Sequence, residues 1–493
     1  MLRTVEQYVE SLRDGRRVYY RGRLVPDVTE HAALRTAVDH ASIDYRMAEE
    51  PGEHRALAVT CDEQTGQEIS RYFALPRSSE DLMARSRLID AATRQGGTLV
   101  VLIKEIGSDA LFALHMVAHQ LAQGVPGKAG LTPEPRYLEN VRRFYAHCRD
   151  HDLAMAVAQT DVKGDRSLGP SEQEHPDYYL RVVERRPDGI VVRGAKVHTS
   201  VSANANELIV LPTRALREED RDYAVAFAVP LDTPGLTLVV SPYGDGEKQA
   251  FEHPISARHK MPETLTIFDD VFVPAERVFL DGEWQAAGPL AHTFVQFHRF
   301  TAVSYKLSLV DALVGAAALL ADLNGLDKVT HIREKLTWLI AYAETLRALT
   351  AQAAAQCDCS NPLGLAVPNT LLTNVAKLHF AGQYHQAVAR VQEIAGGLLV
   401  TAPGAEDWDD AELGPKLRRY LGGRRGVAAE ERMRAMHLVQ DLTSSEYGGY
   451  QEVLAIHAEG SIEAEKLAIF RGYDLAAAKE YARLLAGIGG ERA

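Results

Sequence analysis

The chain has 493 residues, 46% of them hydrophobic and 25% charged, an ordinary balance for a globular protein with room for two or three domains. Its net charge of −13 comes without a basic block, which argues against nucleic acid as a partner. No run of about 18 uncharged apolar residues occurs and Met1–Tyr8 has no apolar signal core, so no membrane partner is expected and a cytoplasmic protein is.

Residues 1 to about 150 read mainly as helix. Glu6–Leu12 makes a short amphipathic turn or two, and Val18-Tyr19-Tyr20 and Leu24-Val25 form a small hairpin around Gly22. Helical patterns follow at Ala32–Ala48, Asp81–Arg94, Ser108–Gln123 and Pro135–Asp150. Between them Thr98–Ile103 is a continuous apolar run whose β-branching suggests a buried strand, although a buried helix fits the periodicity equally well.

From about 152 to 280 the period changes to two. Tyr179–Glu184 and Ile190–Gly194 flank the turn Arg186-Pro187-Asp188-Gly189, a hairpin with good turn chemistry. Strands are expected at Leu208–Leu211, Tyr223–Val229, Leu236–Val240, Thr264–Phe268 and Val271–Val273, as in a small barrel or sandwich. After about 288 the pattern is helical again. Val329, Ile332, Leu336, Leu339, Ala343 and Leu346 form a bundle seam, Pro368 opens a helix that stops at Gly396-Gly397, and helical segments cover about 428–458 and 462–487. The expected division is a helical domain over 1–150, a β domain over 151–285 and a helical bundle over 286–493.

The helix that opens the third segment carries His298, Ala302, Tyr305 and Lys306 at i, i+4, i+7 and i+8, hence on one face. An imidazole, a phenol and an ammonium on one stripe of an apolar helix must be exposed, paired or working. Of the four cysteines (Cys61, Cys148, Cys357, Cys359), Cys357-x-Cys359 lacks the spacing of common zinc or iron–sulfur motifs. No Gly-x-Gly-x-x-Gly nicotinamide-binding pattern occurs.

Five segments in order, Ala158–Arg166, Val192–Ser200, Phe268–Pro274, His298-Arg299 with Lys306, and Ile394–Thr401, give the chain a family resemblance. It resembles, over essentially its whole length, the 4-hydroxyphenylacetate 3-monooxygenase / 4-hydroxybutyryl-CoA dehydratase flavoproteins, with wording nearer the dehydratase branch. The resemblance implies an α+β, acyl-CoA dehydrogenase-like fold and FAD as cofactor. It places Gln159, Thr160, Lys163, Arg166, His198 and Ser200 around the flavin, with His198 and Ser200 on one face of a strand. Gly396-Gly397 would serve the adenine side of a neighbouring subunit's FAD, in a homotetramer built as a dimer of dimers. Glu263 matches an active-site carboxylate and would form a proton-moving pair with His298.

The pattern also breaks. The dehydratase branch holds a [4Fe–4S] cluster through three cysteines and one histidine. His298 matches the histidine, but Val101, Glu105 and Tyr305 stand at the cysteine positions, so no iron–sulfur cluster and no other metal is expected. A tyrosine of that branch is Ala302 here, and its late glutamate falls at Val453 or Leu454, with Glu452 the nearest carboxylate. The hydroxylases' Arg-Ser/Thr-Pro-Asp-Tyr segment is missing around Lys104–Asp109. Val101, Glu105 and Ala302 would then line an altered substrate pocket, with His298, Glu263, Tyr305 and Lys306 as its working groups.

Three functions stay open. The first is a monooxygenase fed with reduced FAD by a separate flavin reductase. The second is a cluster-free acyl-CoA isomerase or dehydratase relative, and the third a silent flavin-binding scaffold.

Overall fold

The computed structural model of the chain describes residues 1–63, 65–124 and 133–488. Helix α1 (Val5–Glu10) starts on a capping box, in which Thr4 accepts from the Gln7 N–H and the Gln7 side chain accepts from the Thr4 N–H. The expected hairpin is present as β1 (Val18–Tyr20) and β2 (Arg23–Val25), turning at Arg21 and Gly22, both at positive φ. The helix expected over 32–48 is two, α2 (Ala32–Ala41) and α3 (Ile43–Glu49), parted at Ser42, whose hydroxyl donates back to the Val38 carbonyl. Then come α4 (Glu53–Ala58), the ribbon β3 (Val59–Cys61) and β4 (Glu68–Ser70), α5 (Ser79–Gln95), α6 (Glu105–Gln123) and α7 (Arg136–Asp150).

Thr98–Ile103 is neither strand nor helix. It is an irregular buried connection between α5 and α6, with Thr98 and Leu102 at positive φ. Those two residues break an extended ladder. Its carbonyls find other partners: Val100 O meets His40 Nε2 at 3.0 Å and Ile103 O accepts from the Met155 N–H at 2.6 Å. Apolar composition dictated burial here, not backbone geometry.

The middle of the chain forms two facing sheets. Strands β5 (Met155–Ala158), β6 (Arg181–Arg186), β7 (Gly189–Ser200), β8 (Glu207–Val210), β9 (Val225–Pro230), β10 (Leu236–Val240), β11 (Glu263–Pro274) and β12 (Val278–Asp281) sort into the orders β2-β1-β10-β11-β7-β6 and β12-β9-β8-β5. Phe227 of β9 and Phe268 of β11 meet edge to face between the sheets, at 6.0 Å. The amino-terminal hairpin thus completes the larger sheet, β1 running parallel to β10. The two strands expected over 264–273 are one, bent by a bulge at Asp269-Asp270, where Asp270 has φ +52 and pairs with Arg193.

The carboxyl-terminal layer is helical: α8 (Trp284–Leu323), α9 (Thr330–Ala355), α10 (Thr370–Ala395), α11 (Ala405–Asp409), α12 (Leu413–Tyr420), α13 (Ala429–Thr443), α14 (Glu446–His457), α15 (Ile462–Gly472) and α16 (Leu475–Ala486). The segments expected as single helices over 428–458 and 462–487 are each divided, by Ser444-Ser445 and by Tyr473-Asp474, where Ser445 and Asp474 cap the following helix. Helix α8, 40 residues long, packs against α5, α6, α9, α10 and α13 and is the axis of the molecule. Length and composition alone would let it cross a bilayer, but 67% of its most apolar window is buried by the rest of the protein. Helices, then β domain, then bundle: the α+β, acyl-CoA dehydrogenase-like order holds.

Candidate active site between the sheet and the axial helix

Two structural facts set the site. The β7–β11 ladder places Ser200 directly opposite Glu263. The Ser200 hydroxyl lies 2.9 and 3.0 Å from the two carboxylate oxygens, and the Tyr450 hydroxyl of α14 donates to the same group at 2.7 Å. Burial pushes the Glu263 carboxyl up to about 7, against the pull of those two hydroxyls. Tyr450 is held by stacking on Tyr243, centroids 4.4 Å apart.

The second fact is the clamp on His298. Its Nδ1 lies 3.1 Å from Oδ2 of Asp109 on α6, and Asp109 Oδ1 accepts from Arg85 of α5 at 2.8 Å. All three are buried, and Phe294 stacks on the imidazole at 5.2 Å. A carboxylate at Nδ1 holds a proton on that nitrogen and fixes the ring's orientation, leaving Nε2 for another partner.

Two turns on, Tyr305 and Lys306 both reach Glu459, in the connection between α14 and α15. Tyr305 donates a hydrogen bond to one oxygen, and the Lys306 ammonium lies 3.1 Å from the other. Lys377 of α10 lies 3.7 Å from Glu459 and 3.2 Å from Glu465. Burial would raise the Glu459 carboxyl, yet Lys306, Lys377 and His298 outweigh it and hold it at about 2. Burial brings Lys306 down to about 8 against the attraction of Glu459. Glu459 sits at φ +57 and Gly460 at φ +105, and a side chain at Gly460 would run into the Arg299 guanidinium. A cavity of about 10 Å³, enough for one water, opens beside Thr98, Val100, Tyr305, Lys306 and Gln451.

The loop after β5 is pinned from beneath. The Lys196 ammonium donates to the Gln159 carbonyl at 2.9 Å and pairs with Asp161 at 2.9 Å, while Val197 N–H donates to the Thr160 carbonyl. Lys163 at φ +78 and Gly164 at φ +50 turn the loop, closed by a bond from the Lys163 N–H to the Tyr178 carbonyl. Burial, then Arg166, hold the Lys163 ammonium below its ordinary value. Among the described residues the side chains of Lys163 and Arg166 have no ion-pair or hydrogen-bond partner. His198 lies near Lys163 and His457, but it sits at φ +58 in a bulge, so the strand alternation that would give it the same face as Ser200 is broken.

The structure does not join Glu263 to His298: the first is taken by Ser200 and Tyr450, the second by Asp109. The two centres are adjacent all the same, since the charge of Glu263 is felt at Tyr305 and that of His298 at Glu459. Val101, Ala302 and Glu105 are fully buried and lie outside the small cavity; the Glu105 carboxylate accepts from Tyr72 at 3.2 Å, beside Asp44. Gly396 and Gly397 are exposed at the end of α10, and among the described residues nothing beyond their own chain neighbours lies within 4 Å of where a side chain would begin. Glu452 is near the surface with His385, 3.5 Å away. Sequence reasoning missed Glu459, Tyr450 and Asp109. The one available signal was that buried ammoniums at Lys306 and Lys377 require a carboxylate.

Family models described as 4-hydroxyphenylacetate 3-hydroxylase N terminal and C terminal match residues 4–280 and 287–487. The chain is 32% identical to the 4-hydroxybutyryl-CoA dehydratase/vinylacetyl-CoA-Δ-isomerase of Clostridium aminobutyricum, over 99% of this chain and 100% of that one. It is 31% identical to the oxygenase component of 4-hydroxyphenylacetate 3-monooxygenase from Thermus thermophilus, over 92% and 91%. Among solved structures it superposes on the oxygen-tolerant 4-hydroxybutyryl-CoA dehydratase of N. maritimus (TM-score 0.90, 31% identity, 100% and 96% covered). It superposes nearly as well on an oxygenase component complexed with FAD and 4-hydroxyphenylacetate (TM-score 0.88, 29% identity, 98% of each chain). The chain belongs to the 4-hydroxyphenylacetate 3-hydroxylase family.

Proposed function

We propose that the protein is the oxygenase component of a two-component flavin monooxygenase, a cytoplasmic enzyme that receives reduced FAD from a separate reductase and oxygenates a small organic substrate. The observation that carries this reading is the donor set. Where the dehydratase branch requires three thiolates stand a valine and two residues already engaged, Glu105 with Tyr72 and Tyr305 with Glu459. Likeness to an FAD-bound oxygenase over 98% of the chain supports it.

The residues present fit FAD. Lys163 and Arg166 are uncommitted cations for its diphosphate, and Ser200, whose proton goes to Glu263, offers its oxygen lone pairs to the ring, with His198 nearby in the strand. Bound reduced FAD supplies the electrons and the point at which dioxygen is activated. The chain's own groups do the rest. His298, turned by Asp109, holds or protonates a substrate oxygen or nitrogen through Nε2. Glu263 contributes to substrate binding, and the Lys306–Glu459–Lys377 network keeps the surrounding field fixed.

Lys163→Ala should weaken FAD binding by roughly 10- to 100-fold, the loss of a charge-assisted contact worth roughly 1.5–3 kcal/mol. Fluorescence titration measures it, and an unchanged affinity would remove the cofactor from this loop. A homotetramer is part of the proposal. Helix α16 leaves Tyr481, Leu484 and Leu485 65–70% exposed, an apolar stripe of the kind a second subunit covers. Light scattering should give a tetramer for the native chain and a smaller species for Leu484→Glu/Leu485→Glu; a native monomer that binds FAD tightly would refute it.

One observation favours the second reading, a cluster-free acyl-CoA isomerase: Glu263 is held near the pKa a proton shuttle requires. Labelled dioxygen separates the two, since only the monooxygenase carries it into product.

A further inference from the structure

The connection between α9 and α10 carries Cys357-x-Cys359, a motif that no part of the candidate site uses. Asp358, between the two cysteines, forms an antiparallel bridge with Val367, in which each amide N–H donates to the other's carbonyl, at 2.8 and 2.9 Å. Extended backbone at Asp358 sends the side chains on either side of it to one face, and the two sulfurs lie 3.9 Å apart. Their settings differ. Cys359 is exposed, its sulfur 3.5 Å from the Arg77 carbonyl, while Cys357 is half-buried against the core. Burial, and then Cys359 itself, push the Cys357 thiol up to about 11. An accessible sulfur with a protonated one beside it suits an attacking and a resolving thiol. Cys148, buried in the core, and Cys61, exposed on β3, have no second thiol within hydrogen-bond reach.

The bridge also ties this thiol pair to the axial helix. Val367 packs on Phe112 and Phe297, and Phe297 directly precedes His298 on α8. The rest of the connection is fastened down: Arg77 donates to the Leu363 carbonyl at 2.5 Å and the Ala366 N–H to the Pro76 carbonyl at 2.8 Å. A strap held at these points leaves little slack between Asp358 and Val367.

We propose that Cys357 and Cys359 form a redox site that hydrogen peroxide closes to a disulfide, shifting Val367 and with it the turn that carries Phe297 and His298. Cys359, as the thiolate, attacks one peroxide oxygen and becomes a sulfenic acid, releasing hydroxide. The Cys357 sulfur then displaces that oxygen, which leaves as water with the thiol's proton. In sum, two thiols and one peroxide give one S–S bond and two waters; the sulfurs lose two electrons and the peroxide gains them. Closure draws the sulfurs from 3.9 Å to about 2 Å and so pulls on the bridge residue between them. A disulfide of this kind in a reducing compartment is transient and serves as a sensor. The flavin reading adds a local source of peroxide, from turnovers that miss their substrate, but the thiol pair stands without it.

The test adds hydrogen peroxide directly to the pre-reduced full chain, so that its failure leaves the flavin reading untouched. Differential alkylation with mass spectrometry follows each cysteine, and amide hydrogen exchange follows the backbone. Both thiols should be lost together to a bond within one chain, and dithiothreitol should restore them. In Cys357→Ser the sulfenic acid has no partner, so Cys359 should run on to the sulfinic acid, which dithiothreitol does not reverse. Closure should change exchange at Asp358 and Val367 and over residues 294–300, and peroxide-treated Cys357→Ser should show no such change. Cys357 and Cys359 both still alkylated once Cys61 is oxidised, or joined only between chains, would overturn the redox site. Unchanged exchange over 294–300 in the fully closed protein would overturn its link to His298.

Discussion

Replacing His298 with alanine should let reduced flavin continue to consume dioxygen while product gives way to hydrogen peroxide. Flavin oxidation needs no contact with the substrate, whereas oxygen transfer needs the substrate held and its proton managed. General acid–base help of that kind is worth roughly 10²- to 10⁴-fold, so coupling should fall from most turnovers to a small fraction. Asp109→Asn should move in the same direction by a different route. An amide at Nδ1 no longer fixes the proton there and leaves Arg85 without its buried counter-ion, so the pH profile of coupling should shift as well as its level. Peroxide and product are read together, by peroxidase assay and chromatography. Full coupling in His298→Ala would take the imidazole out of the reaction.

Glu263→Gln should separate the two chemical readings by size of effect. In a monooxygenase the carboxyl is a binding group, and the change should fall mainly on KM. In an isomerase it carries the proton, and neutralising it should cost roughly a hundredfold or more in kcat. The same variant has a signature that does not depend on substrate. Glu263 titrates at about 7 in the folded chain against about 4.5 when unfolded, so between those values the unfolded state holds fewer protons and stability falls as pH rises. The full penalty is at most about 3 kcal/mol above pH 7 and absent below about pH 4.5. The amide of the Glu263→Gln variant has no proton to lose, so its melting temperature should hold up better than the native protein's from pH 5 to 8. Parallel melting curves across that range would show that the carboxyl is not buried as described.

Long periodic segments were readable before any fold was in view. The seam of α9, the apolar run of α8 and the hairpin of β6 and β7 follow from repeating contacts that every turn of chain restates. What composition could not convey was where a single residue interrupts. Ser42, Ser445 and Asp474 each cut an otherwise continuous helix, and Asp270 bends one strand where two seemed separate. Thr98–Ile103 had the composition of a strand and no ladder to join. Within the site, Ser200, Lys163 and Glu263 could be singled out by resemblance, and His298, Tyr305 and Lys306 by their shared helix face. Their partners could not. Asp109 is 189 residues from His298 and Glu459 is 153 from Lys306, and nothing local in either neighbourhood marks the pairing.

That last separation bears on the order in which the molecule can be made. Lys306 and Lys377 are sealed inside helices that leave the ribosome well before the carboxylates that neutralise them, Glu459 and Glu465. Until those arrive, docking α8 against α10 would bury two bare ammoniums, at a cost of several kcal/mol each. The bundle is therefore expected to stay loosely associated through most of synthesis and to lock only when the carboxyl-terminal segment folds back across it. Nascent chains stalled before residue 459 should be protease-sensitive in α8 and α10, and those released a few turns later should not.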